Sequence, residues 1–244
     1  DCPVDLEVSN LVRRIHESSH AGVFIATGAG GTSIAWLLGI SGASETVLEA
    51  RVPYSRSALD RFVGEKSSQH VSRIEAELMA DRAYWHALKY DALERPGKIG
   101  WRPIIGVACT ATIATNRPKK GEHRAHIAVR TTGSRFSYSV VYIKGRRDRL
   151  EEEDLTSRLM LNAVAVACGI DQQLDLELES IETIEISDEP VDDLISRVTS
   201  GNAQKVAVSL GGIQDPLCPS GRVIFCGSFN PLHHGHYQLM QVAA

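Results

Sequence analysis

The sequence predicts an α/β chain, a three-layer α/β/α sandwich on a mixed sheet. Three observations carry that expectation. Strand-like and helix-like segments alternate over the first 170 residues. An apolar strand around Val23–Ile25 breaks into Gly28, Gly30 and Gly31 and restarts with helical periodicity. Two alternating runs flank the turn Thr132-Gly133-Ser134, which makes a hairpin and so brings antiparallel pairing into the sheet.

Taken in order, residues 5–18 place Val8, Leu11, Val12 and Ile15 on one helical face, with Asp5 as the cap. Val23, Phe24 and Ile25 suit a buried strand. In the glycine loop, Thr32 and Ser33 are able to cap the next helix, and its free N–H groups with the helix dipole suit an anion. The loop lacks the Lys-Ser/Thr pair of a Walker sequence and only approximates the dinucleotide fingerprint. With Glu49 placed to hold a ribose, a Rossmann unit stays open as an alternative, as does a plain glycine turn.

Ser41-Gly42-Ala43-Ser44 reads as a turn into a second strand, Val47–Val52, ended by Pro53 and followed by a short helix, Ser55–Val63. From Ser67 to Tyr90, Val71, Ile74, Leu78, Trp85 and Leu88 form a helical stripe expected to face the core. Pro103–Ala108 is a further buried strand, and His123–Thr131 with Arg135–Ile143 is the hairpin. His123 and His126, three apart on a strand, point to opposite faces and do not chelate a metal together. A helix through Leu155, Leu159 and Val166 starts in an acidic turn and ends at Gly169.

Asp171–Asp193 holds ten acidic residues and no basic one, and reads as a solvated connector or edge segment. Val191–Val198 is expected to be a helix, Lys205–Leu210 a strand and Gly211–Gly221 a turn-rich linker. The domain limits that follow are 1–170, 171–221 and 222–244.

Composition narrows the function. With 244 residues, 43% of them hydrophobic, the chain has enough apolar content for a core. No apolar run approaches the roughly 20 residues of a membrane span, and the start lacks signal-peptide character, so a cytoplasmic setting without membrane contact is expected. The five cysteines are widely spaced with no CxxC pair, which favours reduced thiols over disulfides or zinc. A net charge of -4 gives no electrostatic case for nucleic acid.

From Ile15 to about Gly169 the chain resembles the C-terminal domain family of the competence/damage-inducible protein CinA, the nicotinamide-nucleotide amidases. The family pattern AESCTGG, GAS, TYSNxAK has as counterparts IATGAGG ending at Gly31, Gly42-Ala43-Ser44, and Pro53-Tyr54-Ser55-Arg56-Ser57-Ala58-Leu59, without a gap. The resemblance implies a serine, a tyrosine and a lysine supporting hydrolysis of a pyridine mononucleotide's carboxamide. Here those positions fall on Thr27, Tyr54 and Leu59, with Gly30, Gly31 and Thr32 on the nucleotide. A leucine cannot relay a proton, and the family's second glycine loop becomes Cys109-Thr110-Ala111-Thr112, so the expectation is a degenerate domain that binds a pyridine mononucleotide or related small nucleotide. An active amidohydrolase and a non-catalytic binding or oligomerisation module remain as alternatives. Cys109 as a nucleophile is weighed against packing, the ordinary role of a small residue in a buried strand. The resemblance implies no cofactor in this domain, and a homo-oligomer.

Arg222–Ala244 resembles the opening of a nucleotidylyltransferase domain, the cytidylyltransferase-like superfamily. RVIFCGSFNPLHHGH carries the G-[ST]-F-[DN]-P-x-H-x-G-H signature in full. The resemblance implies Gly227, Ser228, Phe229 and Gly235 against the nucleotide. It also implies His233 and His236 stabilising phosphate charge during in-line attack, with Mg2+ and a nucleoside triphosphate as cofactors in a complete domain. Such a domain needs on the order of a hundred further residues, so this is an incomplete Rossmann-like start, and a fragment, a short isoform or a truncated product is expected.

Overall fold

The computed structural model describes residues 5–95, 102–116, 120–191, 207–209 and 212–214. Its elements are α1 (Leu6–Glu17), β1 (Ala21–Thr27), α2 (Gly31–Gly39), α3 (Ala43–Thr46), β2 (Val47–Arg51), α4 (Arg56–Val63) and α5 (Arg73–Glu94). There follow β3 (Ile104–Thr112), β4 (His123–Arg130), β5 (Ser134–Tyr142), α6 (Arg149–Ala167), β6 (Ile184–Pro190), β7 (Ala207–Ser209) and β8 (Gly212–Gln214).

Six strands form one sheet in the order β2-β1-β3-β4-β5-β6. β1 runs parallel to β2 and β3, and every later neighbour pairs antiparallel. The mixed sheet of the sequence reading is therefore present, with helices on both faces. Strand alternation sorts the core into two layers. Phe24, Val107, Cys109, Ile127 and Val129 pack under α1, α2 and α6 with Leu11, Ile15, Leu37 and Leu161. Val23, Ile25, Ala108 and Ala128 pack under α4 and α5 with Leu59, Phe62, Met79 and Tyr84. Each such large side chain removed from water contributes about 1.5–3 kcal/mol before entropy is subtracted.

α1 begins where expected, Asp5 accepting the Glu7 amide at 3.1 Å. Ser55 caps α4 by accepting the Ala58 amide at 3.2 Å. α6 opens with a reciprocal box: Asp148 accepts the Glu151 amide at 2.9 Å and Glu151 accepts the Asp148 amide at 2.7 Å. Gly169 closes it with φ +69°.

The stripe expected to bury α5 is offset from the one that does. Ile74 is 64% exposed, and Val71, Leu78, Trp85 and Leu88 are only half-buried. The sheet instead meets Ala76, Ala80, Ala83 and Ala87, together with Met79 and Tyr84. Small residues win because the helix lies so close to β3: a Cβ on Gly106 would sit 2.2 Å from both the Ala80 carbonyl oxygen and the Tyr84 nitrogen. The helix also starts at Arg73, later than Ser67, where Ser72 caps it by accepting the Glu75 amide at 3.1 Å.

The acidic segment is an edge segment, as expected, but parts of it are buried and not solvated. Leu174 is buried, and its backbone makes both bonds of the Asn162 amide on α6, at 2.9 and 2.7 Å. Glu182 is 6% exposed and holds Arg147 at 2.7 and 2.8 Å and the Ile143 amide at 2.8 Å. Ile184–Pro190 is then the edge strand beside β5. The segment is strapped to the sheet, with Glu182 meeting the half-buried Arg147 guanidinium and the Ile143 amide.

β7 and β8 form a separate antiparallel pair, so Gly212–Gln214, expected in a linker, is strand. The expected helix Val191–Val198 and the segment 222–244 lie outside the described residues. No helix among the described residues is long and apolar enough to cross a membrane.

Candidate functional site

The chain leaves β1 over one face through α2 and α3 to β2, and leaves β2 over the other face through α4 and α5 to β3. β1 and β3 thus flank a topological switch point, the place where open α/β sheets present ligand crevices beyond their strand ends. Three segments gather there: the glycine loop after Thr27, the Pro53–Ser55 turn after β2, and the stretch after Thr112. The first turn of α6 closes over them.

The glycine loop has its shape for steric reasons. Gly28 has φ +82°, and a Cβ there would lie 1.8 Å from the Ala111 carbonyl oxygen. Gly30 has φ +87° and forms the N-cap of α2, with no side-chain cap. The expected caps do otherwise: Ser33 donates its hydroxyl to the Gly30 carbonyl at 2.7 Å, and the Thr32 amide is a donor.

The acceptor for that donor decides the character of the site. Glu153 on α6 receives the Gly30 amide at 3.1 Å on Oε2 and the Thr32 amide at 2.9 Å on Oε1. The anion position at the start of α2 is filled by the chain's own carboxylate. The charge suits the helix dipole, and a second anion in the same place would be repelled. Ser157 donates to the same Oε1 at 3.3 Å.

Neighbouring α6 side chains pin the other segments. Glu152 is fully buried, accepts the Ala114 amide at 2.6 Å and meets His123 Nδ1 at 2.9 Å. Arg149 spreads its guanidinium over three groups, the carbonyls of Ala114 at 3.1 Å and Gly28 at 3.4 Å and the Tyr54 hydroxyl at 3.4 Å. It therefore ties all three segments together at the surface.

The sequence-derived site residues separate in this frame. Thr27 is 8% exposed and donates its hydroxyl to the Pro53 carbonyl at 3.1 Å, which is no proton acceptor for catalysis. Tyr54 is 66% exposed at the rim. Leu59 is 3% exposed and packs in the α4–α5 layer, away from the loop, and Arg56 is exposed on the first turn of α4. Gly42-Ala43-Ser44 precedes β2 at that strand's other end; a Cβ on Gly42 would meet the His16 Cβ at 2.9 Å. Gly227, Ser228, Phe229, His233, Gly235 and His236 lie outside the described residues.

Cys109 is fully buried, and that burial, with the Glu153 carboxylate adding to it, pushes the thiol far above its ordinary range. It packs and does not attack. His123 and His126 do take opposite faces, His126 meeting Ser139 at 2.8 Å while His123 faces α6. Burial, and then Arg124 and Arg73, hold His126 down to about 4. Among the described residues no group of three or more histidine, cysteine or acidic side chains is arranged for a metal ion.

Arg149, Glu152 and Glu153 are absent from the sequence reading. The acidic start of α6 was legible, but as a dipole effect; nothing local shows that it meets a loop some 120 residues earlier.

No family model matches the chain, and no curated protein shows significant similarity to it. Solved structures do. The fold is similar to that of competence/damage inducible protein CihA from Agrobacterium tumefaciens, at 22% identity and TM-score 0.53, covering 67% of this chain and 96% of that one. It is also similar to competence damage-inducible protein A (ComA) from Klebsiella pneumoniae, at 16% identity and TM-score 0.50, covering 68% and 98%. The fold is thus CinA-like.

Proposed function

We propose that this chain carries a degenerate CinA-like domain that binds a pyridine mononucleotide or a related small nucleotide without hydrolysing it, ahead of a segment that begins a nucleotidylyltransferase domain. The observation that carries this reading is the Glu153 carboxylate on the Gly30 and Thr32 amides. Amide hydrolysis needs a nucleophile, a base and donors free for the tetrahedral oxyanion. Here the loop donors already serve Glu153, the Thr27 hydroxyl serves Pro53, and the lysine position is a buried leucine. What stays accessible at the strand ends is a phenol and a guanidinium, Tyr54 and Arg149, a pair suited to stacking on a ring and holding a phosphate.

Calorimetric titration with nicotinamide mononucleotide and nicotinic acid mononucleotide, with ammonia followed in the same samples, tests the proposal. Binding without ammonia release is expected, weakened by Arg149→Ala. Ammonia release would overturn it in favour of an amidohydrolase. Absence of binding would leave a non-catalytic interaction module.

A further inference from the structure

A second region of the molecule combines cations, aromatic rings and open volume. Outside β2, two adjoining cavities of about 490 and 270 Å³ run along α4 and between α4 and α5. Arg51, Arg61 and Phe62 line both. Ser55 and Ser57 add hydroxyls to the larger, while Arg82, Lys89, Trp85 and Tyr90 wall the smaller. Pro53 and Ser55, from the turn after β2, also line the larger cavity, so the groove adjoins the strand-end crevice, while Gly28, Tyr54 and Arg149 line neither cavity.

Its charge runs against that of the molecule. Four cationic side chains converge in a chain of net charge -4, and among the described residues no acidic side chain lines either cavity. Glu49 sits behind them, pairing with Arg51 at 2.6 Å and approaching His86 at 3.6 Å. Arg61 and Lys89 are exposed and hold no ion pair among the described residues. Burial, then Arg51, keeps His86, which lines the smaller cavity, below its ordinary value.

The rings are ordered. Arg51 lies 5.8 Å from the Phe62 ring centre, Phe62 is 5.6 Å from His86, and His86 is 6.0 Å from Tyr90. Trp85 and Tyr90 are half-buried. A guanidinium cluster takes up phosphate or carboxylate through forked hydrogen bonds, and a neighbouring aromatic wall takes up a flat ring. The combined volume is that of ordinary small-ligand sites.

We infer that the groove between β2, α4 and α5 is a binding site for a small organic anion bearing a flat ring, its charge held by Arg51, Arg61 and Lys89 and its ring laid against Trp85 and Tyr90. Phenyl phosphate is the probe, titrated calorimetrically into the full chain beside inorganic phosphate and phenol. Saturable binding is expected, about tenfold or more tighter than either fragment alone, and weaker when salt rises from ~0.05 to ~0.5 M. The double charge reversal Arg61→Glu with Lys89→Glu touches two exposed residues and should keep the unfolding midpoint while costing about tenfold or more in affinity. Arg13→Ala, exposed on α1 over the opposite face of the sheet, should leave the affinity unchanged. Equal affinity for inorganic phosphate, absence of saturation, or indifference to the charge reversal would each overturn the inference. Loss on Arg149→Ala alone would place the anion in the strand-end crevice and overturn it too.

Discussion

Glu153 Oε1 lies 2.9 Å from the amide nitrogen of Thr32, so a carboxylate of α6 caps the helix that follows the first strand. Through its other oxygen the same carboxylate holds Gly30. A charged, half-buried acceptor on two amides contributes on the order of 1.5–3 kcal/mol for a bond of this kind. Glu153→Ala should lower stability by roughly that amount and speed hydrogen exchange at Gly30 and Thr32 specifically. Unchanged exchange at those two amides would show that another group serves them.

A lysine at position 59 should not produce hydrolysis. Leu59 is 3% exposed between α4 and α5, so Leu59→Lys puts an ammonium into an apolar layer rather than beside Thr27. A loss of about 3 kcal/mol or more in denaturant unfolding is expected, with no ammonia released from nicotinamide mononucleotide. A stable, hydrolytic variant would refute this account of α4.

Acid stability should fall in two stages. His126 stands near 4 in the folded chain against an ordinary 6.5, chiefly because burial opposes its charge. The unfolded chain binds that proton first, so stability declines as pH drops from about 6.5 towards 4. Glu182 is lowered to about 2: burial opposes this, but Arg147 and the amides of Ile143 and Glu179 outweigh it. Its contribution is present above the unfolded value and is lost as pH falls below about 4.5. Unfolding of Glu182→Gln across this range should lose the lower stage and keep the upper one.

Gly106→Ala should be among the most damaging small changes in the chain. The added methyl would meet the Ala80 carbonyl oxygen and the Tyr84 nitrogen at 2.2 Å, both backbone, so α5 must move off the sheet. A loss of about 3 kcal/mol or more is expected, with thermal unfolding as the readout. Gly133→Ala, where nothing lies within 4 Å, serves as the control.

The thiols offer a check on Cys109. It is fully buried and its thiol stays protonated, whereas Cys168 is half-buried, with burial raising it to about 11. Alkylation followed by peptide mapping should leave Cys109 unmodified until denaturant is added. Rapid native modification of Cys109 would reopen its candidacy as a nucleophile.

Much of this architecture is determined by local sequence. Apolar spacing marks α1, β-branched residues mark β1, a tight turn marks the β4–β5 hairpin, and Asp148 with Gly169 brackets α6, since each depends on interactions within a few residues. The offset of His123 from His126 likewise fixes their opposite faces without any knowledge of the partners. Tertiary structure alone decided which side of α5 meets the sheet, because that depends on how closely Gly106 lets a helix approach. It also decided that acidic residues at 152, 153 and 182 are structural ligands for amides, an imidazole and a guanidinium far away in the chain. A glycine loop specifies that two amides are left without helix partners; only the packing of α6 across it specifies which acceptor they receive.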